Sequence, residues 1–143
     1  MIDLPIIIII LLTIVALIDL IFKKIPSVFL TAILFLTAMI HFYNFEVGLI
    51  HLAMGTLAFI YAWMLYEVDF IGGLADVKVI TIIGLMINSI QMFFTLMLLV
   101  VLFGMAYKLT FRYILKKQEK ELIPFIPCLY AVYIALFLIG GVA

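Results

Sequence analysis

The sequence predicts an all-α fold class, a polytopic membrane helix bundle with six transmembrane helices, the fourth of them short. Three observations support it. Hydrophobic residues make up 70% of the 143-residue chain and charged residues 11%, whereas a soluble domain is roughly half apolar and a quarter charged. Several apolar runs approach the length of about 20 residues that a bilayer crossing needs. All eight Lys and Arg residues fall into three segments, and a six-helix topology places those segments on one side of the membrane.

The expected spans follow the apolar runs, and together they form a single transmembrane domain over residues 1–143. The first run lacks the positively charged segment that opens a secretory signal, so we predict a retained helix. The lipid bilayer is therefore an expected partner of the whole chain. The spans are about Leu4–Phe22, Pro26–Tyr43, Val47–Tyr66, Ala75–Ile87, Ile90–Tyr107 and Leu122–Val142.

The boundary between the fourth and fifth spans rests on charge. Apolar character continues from Val77 to Tyr107 with one interruption at Asn88–Gln91, so one long helix and two helices joined by a turn are both conceivable. Two helices keep every positive charge on one side, which the positive-inside tendency identifies as the cytoplasm, and leave both termini outside. The positive charges then lie in the loops Lys23–Lys24, Glu67–Lys78 and Lys108–Glu121.

Two carboxylates lie at the margins of predicted spans. Asp19 is about one turn inside the cytoplasmic end of the first helix, and Asp76 opens the fourth. A carboxylate at membrane depth costs about 2.5 kcal/mol or more at a helix centre and less toward the interface, so it usually faces a protein interior or a wet cavity. Taken singly, each has a simpler explanation: Asp19 pairs with Lys23 four residues on, and Asp76 caps a helix start.

Taken together, Asp19 and Asp76 share a depth and a side, so the two carboxylates could meet. Two aspartates brought together in a partly desolvated site share one proton near neutral pH. Such a pair can hydrolyse a peptide bond, because the ionised partner takes a proton from the attacking water and the protonated partner supports the oxyanion.

The remaining polar residues carry less chemistry. His41 and His51 flank Glu46 near the outer face and are predicted to be interfacial histidines, since a metal site needs more ligands and a clearer spacing. No metal and no cofactor is predicted. Glu67 and Asp69 are predicted to be loop acids that could contact a substrate or a cation.

Three stretches, in order, resemble the type IV prepilin peptidases, membrane aspartyl proteases of the GxGD group. The resemblance covers most of the chain and agrees in topology and spacing. The first stretch carries an aspartate, a short basic turn and an Ile-Pro pair. The second carries glycines, an aspartate and a lysine two positions later, and the third carries a Pro-Phe-x-Pro signature. They are "DLIFKKIPS" (Asp19–Ser27), "GGLADVKVI" (Gly72–Ile80) and "IPFIPCL" (Ile123–Leu129).

The resemblance implies that Asp19 and Asp76 are the catalytic pair, and that Lys78 tunes or positions the second. Room for a substrate backbone is expected from the glycines of the loop, and the prolines are expected to shape two helix entrances. These supporting residues are Gly72, Gly73, Pro26, Pro124 and Pro127.

The chain also departs from the family pattern. Ala75 replaces the second glycine of GxGD, and Ser27 stands where asparagine often follows the Ile-Pro pair. The cysteine-rich domain and methyltransferase function of many members have no counterpart, which implies a peptidase-only form, archaeal-type or minimal.

The function implied by the resemblance is removal of the leader peptide from prepilin-like substrates (prepilins, pseudopilins or preflagellins) at the cytoplasmic face of the cell membrane. Glu67 and Asp69 would attract the basic leader, and no nucleic-acid partner is predicted. Two alternatives stay open: a small proton-coupled transporter that uses Asp19, Asp76 and Lys78, and a catalytically silent assembly protein on the same scaffold.

Overall fold

The structure, a computed structural model, describes residues 3–22, 27–43, 45–114 and 125–140. These residues are helical apart from short connections, so the all-α prediction is confirmed. The first five helices agree with the predicted spans to within two residues at each end, whereas α6 begins at Ile126 and not at the predicted Leu122. α5 continues into a π-helical turn, Thr110–Ile114. The helices are α1 (Leu4–Phe22), α2 (Ser27–Tyr43), α3 (Phe45–Glu67), α4 (Leu74–Leu85), α5 (Ile90–Leu109) and α6 (Ile126–Ile139).

Three helical stretches among the described residues are long and apolar enough to cross a membrane: Leu4–Phe22, Gly48–Glu67 and Ile90–Tyr113. α2 and α6 are shorter apolar helices. α4 has 12 residues, about 18 Å at 1.5 Å per residue. Large apolar side chains are exposed along α1, α2, α3 and α5, far beyond the apolar patches of a soluble monomer. These features indicate a membrane protein.

α4 occupies the centre of the bundle. Every residue from Val79 to Ile87 is buried, as expected for a helix that is apolar on all sides. It packs chiefly against α3 and also against α2 and α6. The helix ends at Leu85. A new helix, α5, begins after Ser89, whose side chain caps it by accepting the Met92 N–H at 3.3 Å. The predicted break between the fourth and fifth helices is therefore present.

Small residues set the close approach of α3 and α4. A Cβ placed on Gly84 would overlap the Cβ of Ala58 and lie 3.2 Å from the Met54 carbonyl oxygen. On the facing helix, a Cβ on Gly55 would overlap the Leu85 side chain. Such small-residue contacts let membrane helices pack backbone to backbone. The helix that carries Asp76 is thus held by direct helix–helix contact.

α1 and α6 run antiparallel, because residues late in α1 contact residues early in α6 and the reverse. The Thr13 hydroxyl donates to the Tyr130 hydroxyl at 2.8 Å, and the Tyr133 hydroxyl donates to the Pro5 carbonyl at 3.3 Å. α5 packs against the other side of α6. As a result, the end of α1, the starts of α4 and α6 and the end of α5 meet at one end of the bundle.

Candidate active site

Asp19 is a buried carboxylate tied to the start of α6. Its side chain is 8% exposed, and its Oδ2 accepts the Ile126 N–H at 3.2 Å. Ile126 is the first residue of α6 after its N-cap, Phe125, so this N–H has no partner within the helix. The positive end of the helix dipole also favours an anion there. The arrangement gives the buried carboxylate a hydrogen-bond partner; Lys23, the expected partner of Asp19, lies outside the described residues.

Asp76 is also buried, at 7% exposure, but it does not hold the expected N-cap position. The N-cap of α4 is Gly73, which has no side chain to offer, and the helix begins at Leu74. Asp76 is therefore the third helical residue, and the backbone amides of Gly72 and Gly73 stabilise its carboxylate. A carboxylate reaching back from this position to the N-cap amide is one half of a capping box. Asp76 thus caps the helix from inside its first turn.

The two aspartates lie at the same end of the bundle, within electrostatic reach of each other. The charge of Asp19 acts on the Asp76 carboxyl group, although the residues belong to α1 and α4 and lie far apart in sequence. Both side chains are removed from bulk solvent, which strengthens their mutual repulsion when both are ionised. The pair is therefore expected to hold a single negative charge and to share a proton.

Lys78, the expected partner of Asp76, is directed elsewhere. Its ammonium donates to the Ser27 carbonyl and hydroxyl oxygens and, at 2.8 Å, to the Thr31 hydroxyl. These groups belong to the first turn of α2. Lys78 therefore joins α4 to α2, and the tuning role implied by the resemblance stays a prediction.

Lys108 is the cation whose charge acts on Asp76 within the described residues. It lies near the end of α5, and its ammonium donates to the Phe70 carbonyl oxygen. It also interacts electrostatically with Asp69. Sequence reasoning missed this residue, because it treated Lys108 only as a marker of topology. No local spacing connects Lys108 to Asp76, so the sequence held no signal that could have found it.

The backbone conformation of Gly72 and Gly73 does not require glycine. Gly73 is extended, with φ −170°, and a Cβ on Gly72 or Gly73 would meet nothing within 4 Å. The space beside them is open, which is compatible with the expected room for a substrate backbone. Ala75, in place of the motif glycine, is half-buried in the first turn of α4.

Of the three motif prolines, one lies within the described residues. Pro127 occupies the first turn of α6, where the missing proline N–H costs nothing. Pro26 and Pro124 lie outside the described residues. Among the described residues, Pro127 lies where the expected shaping of a helix entrance would need it.

Glu67 and Asp69 are both exposed at the end of α3 and in the turn after it. Asp69 adopts φ 56°, a left-handed conformation that aspartate tolerates better than most residues. The turn is closed by backbone bonds from the Asp69 N–H to the Tyr66 carbonyl at 3.1 Å and from the Phe70 N–H to the Leu65 carbonyl at 2.9 Å. Two exposed acids therefore stand beside the loop that leads to Asp76.

His41 and His51 are buried inside the protein, which the sequence did not indicate, and their interfacial position stays a prediction. His41 and His51 are 7% and 5% exposed, and their rings stack with centroids 4.4 Å apart. They pack on the carbonyl end of α4, where Leu85 interacts with both rings and Ile87 with His51. Their burial follows from the packing of α2 against α3, which places one ring over the other. In the described ranges no group of three or more His, Cys, Asp or Glu side chains could hold a metal ion.

No protein-family model, curated protein or solved structure matches the chain. The chemistry assigned to the site therefore depends on its own geometry: two buried aspartates that interact at the junction of four helix ends, with a lysine beside them and an open glycine loop on one side.

Proposed function

We propose that the protein is a membrane aspartic endopeptidase that removes the leader peptide of type IV prepilin-like substrates at the cytoplasmic face of the cell membrane. The observation that carries the proposal is the interaction of Asp19 with Asp76, both buried. Paired carboxylates of this kind activate water without a nucleophilic side chain. The three sequence motifs that resemble the prepilin peptidases supply the substrate class.

In the proposed reaction, the ionised aspartate takes a proton from a water molecule as the water oxygen attacks the peptide carbonyl carbon. The protonated aspartate donates a hydrogen bond, and then its proton, to the developing oxyanion. When the C–N bond breaks, the amine leaving group takes the proton that came from the water, and a hydroxyl group of the tetrahedral intermediate returns its proton to the other aspartate as the carboxylic acid forms. The pair then again holds one proton. Asp19 keeps its Ile126 hydrogen bond and Asp76 keeps its Gly72 and Gly73 amides, so both carboxylates are held in place during these steps.

The proposed topology has six helices crossing the membrane, including the short α4, with both termini outside. The catalytic end of the bundle then faces the cytoplasm, because Lys78 and Lys108 lie at that end and positive charges favour that side. A substrate helix has its carbonyls locked in hydrogen bonds, so it must unwind locally next to the Gly72–Gly73 loop. The exposed acids Glu67 and Asp69 are placed to attract a basic leader, each contact contributing about 0–1 kcal/mol.

The test is cleavage of a leader-bearing pilin-like peptide by the purified protein in liposomes. Asp19→Asn and Asp76→Asn are each expected to reduce the rate by about 10²–10⁴-fold, the usual contribution of a general acid or base. Asp3→Asn is a matched control, since Asp3 is exposed before α1 at the other end of the bundle, and it should cleave normally. Asparagine at position 19 can still accept the Ile126 N–H, so folding should persist; a cleaving Asp19→Asn or Asp76→Asn variant would overturn the proposal.

A proton-coupled transporter remains the second candidate, and one observation favours it. The buried pair His41 and His51 lies at the carbonyl end of α4, opposite the end that carries Asp76, so titratable groups flank both ends of the central helix. Between them the polar residues of α4 are Lys78, which is bound to α2, and Thr81, which leaves few groups for a relay. Proton flux in vesicles that disappears in Asp76→Asn would support transport. A catalytically silent assembly protein would show neither flux nor cleavage.

A further inference from the structure

The segment from Val68 to Gly73, here called the lead-in segment, places Asp76. It joins α3 to α4, and its last two residues provide the amides that stabilise the Asp76 carboxylate. The N–H groups of Val68, Asp69, Phe70 and Ile71 bond to carbonyls at the end of α3, and the Gly73 carbonyl accepts N–H groups of the first turn of α4. Ile71 is buried, whereas Gly72 is exposed with open space around it. The position of this segment therefore depends on what holds its middle.

Lys108 of α5 holds that middle through two contacts with Phe70. Its ammonium donates to the Phe70 carbonyl oxygen and lies 4.6 Å from the centroid of the Phe70 ring. One turn earlier, Gly104 leaves the space that the ring occupies: a Cβ there would lie 2.9 Å from two Phe70 ring atoms and 3.0 Å from the Phe125 ring. Phe70 is thus seated in a notch of α5 with the Lys108 ammonium above it.

The same ammonium acts on one carboxylate of the proposed catalytic pair, Asp76, and its charge also interacts with Asp69. The other groups around Asp76 have different roles. Cys128 is a buried thiol on α6 within electrostatic reach of Asp76, and Lys78 on α4 itself is bound to hydroxyl groups of α2. The two remaining acids are Asp19 on α1 and Glu67, which is exposed at the end of α3.

We propose that Lys108 is a positioning residue: it fastens the lead-in segment to α5 and places a positive charge near Asp76 that favours the ionised form of that carboxylate. The inference rests on the proposed peptidase function for its catalytic part only. The fastening of Phe70 to α5 is a structural claim that can be tested without any substrate. In the reaction, Lys108 acts through Phe70 and through its charge, and it does not touch the scissile bond.

The structural part is tested by limited proteolysis of the intact protein in detergent with an endoproteinase that cuts after Glu and Asp. Loss of a hydrogen bond to a charged donor should make the lead-in segment open more often, so Lys108→Met is expected to be cut after Glu67 or Asp69 at least about tenfold faster. Lys108→Arg should remain near the wild-type rate, because a guanidinium can still donate to the Phe70 carbonyl. Gly104→Ala keeps the ammonium but crowds Phe70 and should also speed cutting.

The catalytic part is tested by the pH dependence of substrate cleavage. Removing the ammonium makes the ionised carboxylate harder to form, so Lys108→Met should lower kcat with KM little changed and move the acid limb of the pH–rate profile upward by about one pH unit. Lys108→Arg should restore both, because a guanidinium keeps the charge.

The outcomes separate the two claims. Unchanged proteolysis in Lys108→Met and Gly104→Ala overturns the fastening. An unchanged pH–rate profile in Lys108→Met, with an active wild type, overturns the electrostatic role. If the wild type cleaves no leader peptide while the lead-in segment still opens in Lys108→Met, the peptidase function fails and the fastening stands.

Discussion

Gly84 lies where α4 crosses α3, and replacing it with alanine measures how tightly that crossing is packed. The added Cβ would overlap the Cβ of Ala58 and stand 3.2 Å from the Met54 carbonyl oxygen and 3.3 Å from the Gly55 Cα; carbon atoms normally pack at about 3.5–4.0 Å. None of these atoms can rotate away. We therefore expect a steric cost near the top of the range of about 1–3 kcal/mol, offset by about 1 kcal/mol of improved helix propensity. The free energy of unfolding should fall by about 1–2 kcal/mol.

The assay is reversible unfolding in mixed micelles, run as a double-mutant cycle. In an Ala58→Gly background the obstructing Cβ is absent, so Gly84→Ala should become neutral or stabilising, with a coupling energy of about 1–2 kcal/mol between the sites. Gly72→Ala is the matched control, because a Cβ there meets nothing within 4 Å. Equal stability losses from Gly84→Ala in both backgrounds, or no loss in either, would refute small-residue packing as the basis of this crossing.

Three further expectations concern single residues. Tyr61→Phe removes a 2.9 Å hydrogen bond from the hydroxyl to the Met97 carbonyl, so unfolding in mixed micelles should show a loss of about 0.5–1.5 kcal/mol. Lys78→Met should lower stability but leave the acid limb of the pH–rate profile in place, because the ammonium faces Ser27 and not Asp76; a shifted profile would restore its tuning role. Gly72→Ala should melt normally but cleave leader peptides more slowly if the loop receives the substrate, and normal kinetics would exclude that use.

Sequence reasoning located the helices well because a membrane protein leaves few choices. Backbone groups in lipid must bond within a helix, so an apolar run such as Leu4–Phe22 becomes one helix with the predicted bounds. The polar interruption Asn88–Gln91 ended α4 and started α5 because Ser89 could cap the new helix. The same reasoning brought Asp19 and Asp76 to one end, since alternating helix directions determine which ends share a side.

The contacts that the sequence did not predict arise from side-chain packing between helices. His41 and His51 stand in apolar stretches near a turn, and only the fold of α2 onto α3 stacks and buries them. Lys108 looked like one of several basic residues, and its link to Phe70 arises because Gly104 opens a notch on α5. Neither the stacking of the histidines nor the contact of Lys108 with Phe70 follows a helical or strand period, so the sequence pattern does not predict either of them.

Each aspartate is bound to the start of a different helix, and this explains why packing far from the site should affect it. Asp19 accepts an amide of α6, whereas Asp76 is held by the amides that open α4. The separation of the two carboxylates therefore follows the separation of α4 from α6. Because α4 is positioned mainly by its contact with α3, a change at Gly84 that displaces α4 should also move Asp76 relative to Asp19. The stability cost of Gly84→Ala and a loss of cleavage should thus appear together, and both should recover in the Ala58→Gly background.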